Sequence, residues 1–184
     1  AGASWRAHDM TDVDLLSLTF SDTLHGWAGG GASFGETRAE ILRTTDGGAT
    51  WLQADLGVWG RVHDLCFIDS LRGWAAVEDW GVDGDRPQGA ILATVDGGRT
   101  WVRQDTTAAG LLAIDMTQHG EGWACGEQGL VLMTVDAGST WIACDAGTDV
   151  ALRTLALEAA EVWLAGADGA VLCGDGAPAA VPAP

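Results

Sequence analysis

A chain of 184 residues with 47% hydrophobic content can bury a core of its own, and it holds no apolar run long enough to cross a bilayer as a helix. Its nine cationic residues, all Arg, face 26 acidic ones, for a formal charge of −17. That balance excludes a nucleic-acid backbone as partner, disfavours docking on anionic lipid, and otherwise supports solubility.

The first five residues, Ala1-Gly2-Ala3-Ser4-Trp5, match the back half of a pattern met again at Ala137-Gly138-Ser139-Thr140-Trp141, and predict a short strand over residues 5–8. No basic start followed by an apolar stretch marks them as a signal peptide. Leu16-x-Leu18-x-Phe20 alternates as a half-buried strand does. Ser21 to His25 reads as a turn, Gly26-Trp27-Ala28 as a second strand and Glu40 to Thr44 as a third, with a fourth from Trp51. The same order returns with Leu65-x-Phe67, Gly73 to Val77 and Ala90 to Thr94. It returns again with Leu112-x-Ile114-x-Met116, Gly122 to Cys125 and Leu130 to Thr134. A degenerate copy follows: Leu155-x-Leu157, Val162 to Gly166 and Gly169 to Leu172, ending at Cys173-Gly174-Asp175-Gly176 without a Trp. Residues 177–184 are an Ala/Pro-rich tail, expected to be extended.

Three of these copies carry the same box: Thr44-Thr45-Asp46-Gly47-Gly48-Ala49-Thr50-Trp51, Thr94 to Trp101, and Thr134 to Trp141. An octapeptide recurring in this way marks a repeat architecture. The carboxylates of Asp46, Asp96 and Asp136 are suited to accept backbone N–H groups of the following turn. The glycines allow positive φ where the chain reverses. Trp51, Trp101 and Trp141 open the next strand, each burying a ring whose indole N–H seeks an acceptor. The expected result is a corner pinned by a carboxylate and an indole.

The box resembles that of the Asp-box, or BNR, repeat family, with a consensus near Ser/Thr-x-Asp-x-Gly-x-Thr-Trp. The resemblance implies an all-β chain: a β-propeller of four-stranded antiparallel blades, with the box as the turn between third and fourth strands. The repeats fall at about 9–51, 52–101, 102–141 and 142–176, within one domain over 1–176. The last repeat lacks a fourth strand and the N-terminus supplies one. A four-bladed ring is therefore expected, closed by residues 1–8 beside 169–174, with Asp175 near Ala1-Gly2 rebuilding a split box. The alternative is a fragment of a larger propeller.

In such a ring the hairpins between second and third strands share a face with the links between blades, and the boxes lie opposite. Two of these hairpins are long, Gly29 to Arg38 and Glu78 to Pro87, and the link Leu56 to His63 adds Trp59 and Arg61. Loops on a rigid scaffold carry function, and Trp and Arg are common contact anchors. Trp59, Arg61, Trp80, Asp83, Asp85 and Arg86 are accordingly the candidate partner-binding residues. The other eight Trp belong to the repeats: the box residues with Trp5, and Trp27, Trp74, Trp123 and Trp163 in the second strands. Their recurrence points to packing between blades.

Enzyme chemistry finds no frame. Sialidases of this repeat family need an arginine cluster and a nucleophilic Tyr, and this chain has no Tyr. Asp83 and Asp85 are paired as glycosidase carboxylates are, yet read better as an acidic loop. Their short Asp-Gly-Asp run falls short of a calcium loop. His8, His25, His63 and His119 lack metal-ligand spacing, as do Cys66, Cys125, Cys144 and Cys173, so no metal and no cofactor is expected. The four Cys allow three pairings, and as strand residues they also read as small buried hydrophobes.

The fuller pattern is Gly-Trp-Ala, a turn, then apolar-Leu-x-Thr-x-Asp-Gly-Gly-x-Thr-Trp. It resembles photosystem II stability/assembly factor-like propellers. That resemblance implies a non-catalytic scaffold that binds protein partners, an accessory subunit or assembly factor of a larger, membrane-bound complex, on the periplasmic, lumenal or otherwise extracytoplasmic side. The alternative reading is a carbohydrate-binding or glycosidase-derived module with a glycan partner, using Trp59 and Trp80 as sugar platforms.

Overall fold

The computed structural model describes residues 10–31, 38–81, 88–158 and 161–174. Within each of three sheets, strands adjacent in sequence pair antiparallel, and the strands form four β-propeller blades. Blade 1 contains β1 (Leu15–Phe20), β2 (Gly26–Gly30), β3 (Arg38–Thr44) and the front of β4 (Leu52–Phe67). Blade 2 contains the rest of β4 with β5 (Gly73–Asp79), β6 (Gln88–Thr94) and β7 (Val102–Thr107). Blade 3 is β8 (Leu111–Met116), β9 (Gly122–Gly126), β10 (Val131–Thr134) and β11 (Ile142–Cys144). Blade 4 is β12 (Leu152–Glu158), β13 (Glu161–Gly166) and β14 (Val171–Gly174). The register repeats: Ala28 faces Leu42, Ala75 faces Leu92, Ala124 faces Leu132 and Leu164 faces Leu172.

One element differs from expectation. The link between blades 1 and 2 is not a loop, because β4 runs unbroken from Leu52 to Phe67 and joins both blades into one seven-stranded sheet. Its middle is paired on both sides, Trp59 with Arg38, Gly60 with Asp79 and Arg61 with Glu78, so its backbone groups are satisfied as strand. Val58 and Val62 are buried. Gly57 and Gly60, at φ 63° and 141°, supply the bends between the two halves. Likewise β3 begins at Arg38 and β5 reaches Asp79, so the two long hairpins are shorter than the sequence suggested.

The core lies between blades. Trp27, Ile41, Val62, Leu65 and Leu92 join blades 1 and 2; Trp74, Ile91, Ile114 and Met116 join blades 2 and 3; Trp123, Val131, Leu152 and Val162 join blades 3 and 4. The first strands β1, β4, β8 and β12 pack against one another in that order. The expected closing strand over residues 5–8, the split box at Ala1-Gly2 and Asp175, and the Ala/Pro tail lie outside the described residues.

Candidate functional site

The boxes form turns of one design. Thr44 Oγ1 donates to Asp46 Oδ1 at 2.8 Å and accepts the Gly48 amide at 2.9 Å. Asp46 then accepts the Thr50 amide at 2.8 Å and the Thr50 hydroxyl at 2.6 Å. Asp96 and Asp136 repeat these contacts with Thr94 and Thr100, and with Thr134 and Thr140. The Thr50 hydroxyl and amide, with Thr44, hold Asp46 at about 2. At Asp96 burial pushes upward, but the Thr100, Thr94 and Arg99 donors prevail and bring it to about 2. The first glycine position has φ 71° at Gly47 and 73° at Gly97, and blade 3 places Ala137 there at 57°.

The indoles do not pin the corner. Trp101 Nε1 and Trp141 Nε1 are buried with no acceptor among the described residues, so these rings serve by packing, and the threonine hydroxyls take the expected pinning role. Trp51 sets its edge against Phe20 and Trp101 against Phe67, with ring centroids at 6.2 and 5.9 Å.

On the hairpin side, β4 brings Trp59 and Arg61 together with Trp80, which follows β5. The Trp80 amide donates to the Trp59 carbonyl at 2.8 Å. The Arg61 guanidinium lies over the Trp80 ring at 5.6 Å, and Arg38 lies over the Trp59 ring at 5.0 Å. Glu78 anchors the group: His63 Nε2 lies 3.3 Å and Arg61 Nε 3.4 Å from its Oε2. The Arg61 contact is an ion pair without hydrogen-bond alignment. The bonded His63 ring, with the Arg61 charge beside it, holds the Glu78 carboxyl below its usual range. Arg103 closes the edge on Asp79 at 2.6 Å. The arrangement presents two half-buried Trp faces, each with a guanidinium: Trp59 and Arg61 stand on the strand shared by two blades, Arg38 on β3 and Trp80 just after β5. Asp83, Asp85 and Arg86 lie outside the described residues.

Arg38, His63, Glu78 and Arg103 were not singled out from the sequence. Their partners lie on neighbouring strands, so their roles follow from register, and only the cross-strand pairs Arg38 with Trp59 and Arg61 with Glu78 bring them together.

A second polar cluster sits where the first strands meet. Asp64 accepts the Ser17 hydroxyl at 3.0 Å from blade 1 and the Ile114 amide at 3.1 Å from blade 3. Burial raises its carboxyl despite these donors. Cys66 donates to Asp115 Oδ1 at 3.3 Å, and burial pushes its thiol far up. Burial also raises the Cys125 thiol, to about 12. All four cysteines are free thiols; Cys125 is buried but Cys173 is exposed, so the reading of all four as buried hydrophobes fails there. With thiolates disfavoured at Cys66 and Cys125, the cluster ties three blades together and offers no activated nucleophile.

No family model matches the sequence, and no curated protein matches it. Among solved structures the chain is similar to YCF48 bound to D1 peptide, at 23% identity and TM-score 0.65, covering 85% of this chain and 50% of that one. It is similar to YCF48 from Cyanidioschyzon merolae, at 18% identity and TM-score 0.63, covering 92% and 55%. It is also similar to the computationally designed Ika4 protein, at 14% identity and TM-score 0.68, covering 95% and 99%. The chain thus shares its fold with these proteins and spans about half the length of the two YCF48 chains.

Proposed function

We propose that this chain is a non-catalytic β-propeller scaffold of the Asp-box type that binds a protein segment on the face bearing Trp59, Arg61 and Trp80. The carrying observation is the double Trp–Arg arrangement, with Trp59, Arg61 and His63 on the strand common to two blades and Glu78 of β5 facing Arg61 and His63. Aromatic and guanidinium groups presented by a rigid sheet suit contact anchors, because little side-chain freedom is lost on binding. One structural neighbour is described as bound to a peptide, which supports protein binding by this fold. In this reading the protein is an accessory subunit or assembly factor of a larger, membrane-bound complex on the extracytoplasmic side, and Asp83, Asp85 and Arg86 extend the same face.

The test is affinity capture of partner proteins by the wild-type chain and by W59A and W80A variants, with glycan-array binding in parallel. The expected outcome is a defined protein partner whose affinity falls about 30-fold or more in each variant, at unchanged melting temperature. Glycan binding that depends on the same two residues, with no protein partner, would replace this reading with the carbohydrate one.

A further inference from the structure

Each of the three joints between blades buries the second-strand indole of one blade against the next. In blade 1 the Trp27 ring stacks on Phe67 of blade 2, with centroids 3.5 Å apart and planes within 5°, and its Nε1 donates to the Gly97 carbonyl of the blade 2 box at 2.9 Å. Trp74 packs beside Met116, Ala137 and Trp141 of blade 3. It reaches that box through Gln104, which accepts from Trp74 Nε1 at 3.1 Å and donates to the Ala137 carbonyl at 3.3 Å. Trp123 belongs to a buried cluster against which Leu155 and Leu157 of blade 4 pack. The three indoles are 1%, 3% and 8% exposed, whereas the fourth member of the series, Trp163, is 42% exposed. Val171, on the same face of blade 4, is 65% exposed, although its counterparts Ile41, Ile91 and Val131 are buried.

The opposite end of the row shows the complementary half. Phe20 lies across Gly26 and meets Trp51 edge-on, as Phe67 lies across Gly73 and meets Trp101. Phe67 is covered by Trp27, but no indole stacks on Phe20 among the described residues, and Phe20 is 45% exposed. Leu18 is 65% exposed, while its counterpart Leu65 is buried. The described residues of β12 and β1 make no contact comparable to those joining the other first strands.

We propose that these two faces are the halves of one joint, and that a second copy of this chain completes it: Trp163 of each copy stacks on Phe20 of the other and donates toward the carbonyl of the Gly47 box. Two rows of four blades then close into an eight-bladed ring, within the range of about four to eight blades that propellers adopt. The pairing is isologous, since Trp163 meets Phe20 at both joints. The YCF48 chains, about twice as long, accommodate this row within about half their length, which fits a ring of roughly twice its blades. Because two chains of charge −17 must approach each other, added salt strengthens the pair. The joint uses neither Trp59 nor Trp80, so its failure leaves the partner-binding face standing.

Native mass spectrometry and light scattering of the 184-residue chain at micromolar concentration test this. The expected mass is twice 19.0 kDa. W163R and F20R should each weaken the dimer about 30-fold or more, and an equimolar mixture should recover it partly, because one joint then pairs a native Trp163 with a native Phe20. V171R and L18E, at positions already largely exposed, should weaken it without disturbing the blades, which keeps the test valid if W163R or F20R fails to fold. A monomeric wild-type chain would overturn the proposal and assign both faces to further blades of a longer chain or to each other. A dimer indifferent to these substitutions, or a ladder of larger species, would overturn it as well.

Discussion

The Asp96 carboxylate collects the Thr94 and Thr100 hydroxyls and the Arg99 and Thr100 amides, and so shares the holding of its box turn with the Thr94 hydroxyl, which accepts the Gly98 amide. Charge-assisted bonds of this kind stabilise more than neutral ones, but solvent screens an exposed turn, so D96A should cost about 1 kcal/mol, or roughly 2–4 °C in melting temperature. The pH dependence has a definite sign. Asp46 and Asp96 sit at about 2 in the folded chain against 3.8 for a free group. The unfolded state therefore binds protons first as the pH falls, and their contribution is present above about pH 4 and lost on the way down to 2. Wild-type and D96A melting temperatures measured across that window should converge toward low pH. A gap that stays constant from neutral pH to 2 would show that the carboxylate charge does not hold the turn.

Within an element, the Gly-Trp pair that opens the second strand of blades 1 to 3 has a packing cause, seen at Gly73. The Phe67 ring occupies the place a Gly73 side chain would take, and Trp27 stacks on that ring. G73A should therefore displace the ring and cost about 1–3 kcal/mol by overpacking, read by thermal melting and by near-ultraviolet dichroism of the Trp27–Phe67 stack. F67L combined with G73A should cost less than the sum of the two alone, because they share one space. Additive costs would mean that the ring does not set the glycine. The repeats made much of this legible in advance: the boxes around Asp46, Asp96 and Asp136, and the second-strand Trp series, recur at matching places in each copy. The continuity of β4 was not legible, since Gly57 and Gly60 look like loop residues until Arg38 and Glu78 are seen to pair across that segment. The same holds for the site. Trp59, Arg61 and Trp80 stood outside the repeat and drew notice, while Arg38, His63 and Glu78 gain their roles only from cross-strand register. The indoles of Trp101 and Trp141, which find no acceptor among the described residues, reverse an expectation based on indole chemistry alone, because the Thr hydroxyls already fill the corner.

For the whole molecule, the blades stand side by side with two faces that differ. Box turns with their carboxylates lie on one side, and the Trp59–Trp80 group lies on the other. A partner segment should therefore meet only the hairpin side. Site-directed photo-crosslinking tests this most directly, with a benzophenone side chain placed either at exposed Gln88, where β6 leaves the hairpin, or at Val95 in the blade 2 box turn, which is 78% exposed. The expected result is that the partner captured by the wild-type chain crosslinks from position 88 and not from 95, and that W59A and W80A abolish the product. Crosslinking from 95 alone, or from 88 regardless of both tryptophans, would contradict it.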